Sequence, residues 1–120
     1  MKRFIFSLLA SIAITGAASA QTKAVVTTKI STPTIQCDMC KNKIETYLKR
    51  YDGVSLVYVN VKKKEVTVKY ITDRINEEEI KAAIANAGYD AAEVHANEDS
   101  YKRLPKCCKK PEDGGGMKKN

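Results

Sequence analysis

Residues 36–53 read QCDMCKNKIETYLKRYDG, and this stretch decides the fold. From Cys40 onward the apolar side chains recur at Ile44, Tyr47, Leu48 and Tyr51, the three- and four-residue spacing that lines one buried face of a helix. Asp52-Gly53 ends that helix, glycine being suited to the left-handed position beyond a C-terminus. The helix therefore opens on two cysteines three apart. Cys37 sits in the connecting loop and Cys40 in or near the first turn, so both sulfurs can face one point.

Upstream, Lys23 to Ile35 is β-branched (Val25, Val26, Thr27, Thr28, Ile30, Thr32) with Pro33 near its end, which predicts a first strand. Downstream, Val54 to Val61 predicts a second, with Val57, Val59 and Val61 on one face, and Lys62-Lys63-Lys64 makes the turn. Val66, Val68 and Tyr70 alternate on a third. Asn76 followed by Glu77, Glu78 and Glu79 is an N-cap with acids where the helix dipole favours negative charge. Ile80, Ala83, Ile84 and Ala87 then supply an apolar face, and Gly88 stops the helix. Tyr89 to about His95 completes the order as a short fourth strand. The expected fold is α+β, a ferredoxin-like βαββαβ sandwich: an antiparallel four-stranded sheet with two helices on one face.

The chain has 120 residues, enough for one domain and too few for a multidomain enzyme. Met1-Lys2-Arg3, the apolar run Phe4 to Gly16 and Ala18-Ser19-Ala20 read as a secretory signal peptide over residues 1–20. The apolar run falls short of the roughly 18 residues a membrane span needs, so a soluble periplasmic or secreted protein is expected, with no stable membrane insertion after cleavage. The net charge of +7 loses Lys2 and Arg3 with the leader, leaving +5. The folded part, residues 21–96, holds 12 basic and 10 acidic residues. That near-neutrality and the single aromatic of the third strand argue against a nucleic-acid partner. Residues 97–120 carry Pro105, Pro111, Gly114-Gly115-Gly116 and scattered lysines, and read as a flexible basic tail.

All four cysteines fall in two close pairs, Cys37/Cys40 and Cys107/Cys108. A disulfide gains most by closing a long loop, so pairs this local do little to staple a fold and point to chemistry at sulfur. With metal–sulfur bonds of about 2.3 Å, two thiolates on such a turn can bracket one soft ion, Cu(I), Hg(II) or Zn(II). The helix N-terminus and nearby Lys41 and Lys43 favour the thiolate, and Asp38 offers an oxygen that would suit Zn(II). Cys107 and Cys108 can bond to each other only in a strained eight-membered ring, which makes them an auxiliary metal pair, with thiol exchange or no role as the alternatives. His95 and Met117 are lone donors, better read as a surface histidine and a tail residue.

The chain resembles the heavy-metal-associated domain family, small metallochaperones and periplasmic mercury-binding proteins, over about residues 23–96. The resemblance rests on Cys37-x-x-Cys40, Asp52-Gly53-Val54, Val57-x-Val59-Asn60, Val66-x-Val68 and Ala87-Gly88-Tyr89-Asp90. It implies that Cys37 and Cys40 bind the metal and that Tyr89 shields the site. Ile35 stands where the family usually has a packing methionine, whose bulk it can replace. The function implied is a monomeric carrier rather than an enzyme, capturing Cu(I) or Hg(II), with Zn(II) as a third candidate, and passing it by thiolate exchange to a heavy-metal transporter or another metal carrier. A thiol–disulfide redox protein using the same pair is the main rival, and an interaction module with incidental cysteines a third reading.

Overall fold

The computed structural model describes residues 24–116. The expected leader and Met117 lie outside them. The elements run β1 (Val25–Ser31), α1 (Asp38–Leu48), β2 (Val54–Asn60), β3 (Glu65–Ile71), α2 (Glu77–Ala87) and α3 (Glu98–Lys102), followed by 3-10 turns at Lys106–Cys108 and Pro111–Asp113. No helix among the described residues is long and apolar enough to cross a membrane.

The sheet has the order β1-β3-β2 and is antiparallel throughout, with Ile30 and Val59 flanking Val66, and Thr28 and Val57 flanking Val68. The two-residue period turns Val57, Val59, Val66, Val68 and Tyr70 to one face, where Ile44 and Leu48 of α1 and Ile80, Ala83, Ile84 and Ala87 of α2 cover them. Each large aliphatic side chain so buried contributes roughly 1.5–3 kcal/mol. The opposite face leaves Leu56 and Tyr58 exposed.

Local signals set α2. Asn76 accepts the Glu79 N–H while the Glu79 carboxylate accepts the Asn76 N–H, a reciprocal cap, and Gly88 ends the helix at φ +106°. Helix α1 ends earlier than its apolar stripe suggests, at Leu48, and Tyr51 packs half-buried in the following turn. Gly53 is needed after all, at φ +93° in the turn entering β2, where a Cβ would stand 2.7 Å from that of Arg74.

The fourth strand does not form among the described residues. Ala91 and Val94 make an isolated bridge, with Ala92 between them in the left-handed region at φ 50°. The Ala92 N–H bonds to Ser31 O at 2.7 Å, but the chain then turns away, and the Asp90 carboxylate takes the Ala96 N–H. Ala91, Ala92 and Glu93 are poor strand formers, so this local loop outcompetes pairing along β1.

Residues 97–116, expected as a flexible tail, carry α3 and the two 3-10 turns. Asn97 caps α3 by accepting the Ser100 N–H, and the Asn97 N–H bonds to Ala85 O at 2.9 Å. Leu104 and Cys108 are buried in the same core as the sheet and helices, with Tyr101 and Cys107 packed against it. Tyr101, Leu104 and Cys108 keep a helical spacing, but Pro105 interrupts so short a run and leaves it without a readable element. Their burial depends on a surface that exists only once α1 and α2 have docked.

Candidate metal centre

The loop bearing Cys37 is tied down before it reaches α1. The Thr32 N–H bonds to Lys64 O at 2.8 Å, and Thr34 Oγ1 accepts the Asp90 N–H at 3.1 Å, joining this loop to the one after α2. Ile35 is fully buried, filling the volume expected of it. Cys37 occupies the N-cap of α1 in extended conformation (φ −154°, ψ 175°), and its side chain makes no capping hydrogen bond to the backbone. Most helices place a hydroxyl or carboxylate there. Here a sulfur meets the positive helix end instead.

Cys37 Sγ lies 3.6 Å from Cys40 Sγ and 3.9 Å from Cys108 Sγ, and the three sulfurs fall within 4.8 Å of one another. Cys40 and Cys108 are fully buried and Cys37 is 5% exposed, so Cys37 is the sulfur nearest solvent. The Cys37 thiol also contacts Cys107 O at 3.7 Å. Burial by itself would raise the Cys37 thiol. The Cys40 amide, which faces the sulfur without forming a well-aligned capping bond, the Cys40 and Cys107 side chains and the Met39 amide outweigh it and hold Cys37 below the ordinary thiol range. Lys41, expected to help, lies over the Tyr58 ring at 4.9 Å, so the amides of the helix start are what favour this thiolate.

Burial pushes the Cys108 thiol well up, with the Cys40 side chain adding to it, whereas Cys107 is raised first by its contact with Cys37. Tyr89 is fully buried beside Cys40 and Cys108, and burial holds its phenol protonated. Its hydroxyl nevertheless has no hydrogen-bond partner. It faces the Cys40 and Cys108 sulfurs, weak acceptors while they are thiols.

The two tail cysteines, read together from the sequence, part company. Cys108 turns inward to the cluster, while Cys107 Sγ lies 3.6 Å from Met39 Sδ at the surface and 4.0 Å from Cys108 Sγ. Met39, 52% exposed between the two helix-start cysteines, was not singled out by the sequence reading. Its position inside the Cys-x-x-Cys turn was the available signal. Asp38 and His95 are exposed and stand outside the three-sulfur cluster. An all-sulfur, water-poor pocket matches soft ions such as Cu(I) and Hg(II) better than ions that seek oxygen.

The profile of the heavy-metal-associated domain matches residues 29–90 and stops before α3 and Cys108. The copper chaperone CopZ of Staphylococcus haemolyticus is 38% identical over 56 residues, covering 47% of this chain and 82% of CopZ. A solved CopZ metallochaperone superposes with a TM-score of 0.54 at 28% identity, covering 56% of this chain and all of that one. The mercury-bound form of MerP, the periplasmic protein from the bacterial mercury detoxification system, superposes with a TM-score of 0.51 at 28% identity, covering 57% of this chain and 96% of MerP.

Proposed function

The chain belongs to the heavy-metal-associated domain family, and from that premise we propose that it is a carrier of a soft metal ion, Cu(I) or Hg(II), held by Cys37 and Cys40. The observation that carries this reading is the 3.6 Å approach of the two sulfurs at the amide-rich start of α1. Relatives named as a copper chaperone and as a mercury-bound periplasmic protein support both the class of ion and the carrier role.

The ion is cargo, so no bond of an organic substrate is made or broken. Capture displaces one proton from each thiol. Delivery proceeds by ligand exchange: a partner thiolate bonds to the ion, giving a three-coordinate intermediate, and one of the two sulfurs then leaves and takes up a proton. Cys37, the more accessible sulfur, is the one a partner reaches first. The receiving protein is a membrane transporter or another carrier, and the leader-like sequence of residues 1–20 supports an exchange in the periplasm or outside the cell.

Native mass spectrometry of the reduced protein titrated with Cu(I), Hg(II) and Zn(II) tests the reading. One soft ion per chain is expected, with most affinity lost in Cys37→Ser and in Cys40→Ser while the circular dichroism spectrum is kept. Unchanged affinity in both variants would exclude the site.

A further inference from the structure

We propose that Cys108 is a third, in-chain ligand to the ion held by Cys37 and Cys40, delivered by a C-terminal strap of residues 98–116 that closes over the site. The inference rests on the carrier reading and adds the coordination number and the control of release.

Distances come first. For a metal–sulfur bond of about 2.3 Å, two sulfurs in linear coordination stand about 4.6 Å apart and the edges of a planar trigonal set about 4.0 Å. The observed edges at Cys37 are 3.6 Å to Cys40 and 3.9 Å to Cys108, and all three sulfurs fit within 4.8 Å. The two edges at Cys37 are both shorter than the linear separation and close to the trigonal one.

The strap that carries Cys108 is seated on both sides of it. Leu104 is 4% exposed and packs where a Cβ on Gly88 would stand 3.1 Å from its Cγ, so the glycine at the end of α2 is what admits it. Beyond the cysteine, the Lys110 N–H donates to the Tyr101 hydroxyl at 2.9 Å, and that hydroxyl donates to the Asp113 carboxylate. The turn at Lys106–Cys108 rests against α1. Between these anchors Cys108 is fully buried, whereas its neighbour Cys107 faces Met39.

Tyr89 is the independent sign that the pocket is built for a charged occupant. Its buried hydroxyl faces the Cys40 and Cys108 sulfurs and makes no well-formed hydrogen bond elsewhere. Metal-bound thiolates carry negative charge and are stronger acceptors than thiols, so loading the site strengthens the contact with this hydroxyl, which offsets part of the buried charge.

Binding releases one proton from each of the three thiols. The strap sulfur fills the place that an incoming partner thiolate takes in the exchange step. Delivery then requires Cys108 to yield: the bond from the ion to the partner sulfur forms as the bond to Cys108 breaks, and the proton of the incoming thiol ends on Cys108. The strap raises affinity and slows release until a partner displaces it.

X-ray absorption on the reduced full chain loaded with Hg(II), and separately with Cu(I), reads the sulfur count directly. Three sulfurs are expected in the parent protein and in Cys107→Ser, and two in Cys108→Ser. Cys108→Ser should also lose at least about tenfold in affinity, since removal even of groups that merely support a ligand costs 10–100-fold, and it should hand the ion faster to a competing dithiol. Cys108→Val, which keeps the buried position apolar, separates ligand loss from lost packing. Two sulfurs in the parent protein with unchanged affinity in Cys108→Val overturns the proposal and leaves the carrier reading standing. Loss of a sulfur in Cys107→Ser alone overturns it in favour of the outer cysteine, whereas a parent protein that binds no ion removes the carrier reading itself.

Discussion

Cys37 and Cys108 stand 71 positions apart in the chain, and their sulfurs lie 3.9 Å apart in the fold. That contact makes the C-terminal segment part of the metal centre's wall. It links the stability of the metal-free protein, the protonation of the thiols and the packing of residues beyond the region matched by the family.

The first consequence is a pH profile with a maximum. Cys37 is held below its ordinary value of 9.0, so between its folded and unfolded pKa the unfolded chain binds more protons and stability rises with pH. Cys108 is raised from 9.0 and Tyr89 from 10.0, so above about 9 the unfolded chain sheds protons that the folded one keeps, and stability falls. Thermal melts of the reduced, metal-free protein between pH 7 and about 11 should pass through a maximum near 9. A Tm still climbing at the top of that range would contradict the burial assigned to Cys108 and Tyr89.

Tyr89→Phe should separate the two states of the site. It removes a buried hydroxyl whose neighbours are only the weakly accepting Cys40 and Cys108 thiols and keeps the ring, so the metal-free protein should be unchanged or more stable, by up to about 1 kcal/mol in urea denaturation. The loaded protein loses a donor to its thiolates and should bind Hg(II) more weakly. A large destabilisation of the metal-free protein would mean that the hydroxyl is already strongly bonded without an ion.

Leu104→Ala should cost about 2–4 kcal/mol in chemical denaturation, as expected for a buried leucine that leaves a cavity, despite its place in a segment that reads as a loose tail. Truncation after Ala96 should cost at least as much, and it exposes the surface beneath Leu104 and Cys108. Hydrogen exchange offers a second check, because the Asn97 amide bonded to Ala85 O should be protected.

Sulfurs 3.6 Å apart also invite the redox alternative, in which Cys37 and Cys40 cycle through a disulfide. The carrier reading predicts poor activity in refolding a reduced, disulfide-dependent substrate, measured against a dedicated oxidase. Comparable rates would transfer the lead to a thiol–disulfide role.

What could be read from the chain was whatever short-range chemistry determines. Asn76, Glu79 and Gly88 carry the ends of α2 because caps and a left-handed stop are satisfied within one turn. Val57, Val59, Val66 and Val68 carry their strands through a two-residue period. Cys37 and Cys40 meet because three residues at a helix start cannot hold their side chains far apart. The tertiary structure alone decided the rest. Ala92 adopts a left-handed turn that alanine does not advertise, and it replaces a strand with a loop. Lys41 turns to Tyr58 rather than to the thiols, a choice made by a ring on another strand. Cys108 reaches the metal centre only because α1 and α2 together form the floor on which Leu104 and the strap settle. One buried residue beyond Pro105 carries no sustained periodicity that would reveal a burial site created by helices about 20 to 70 positions up the chain.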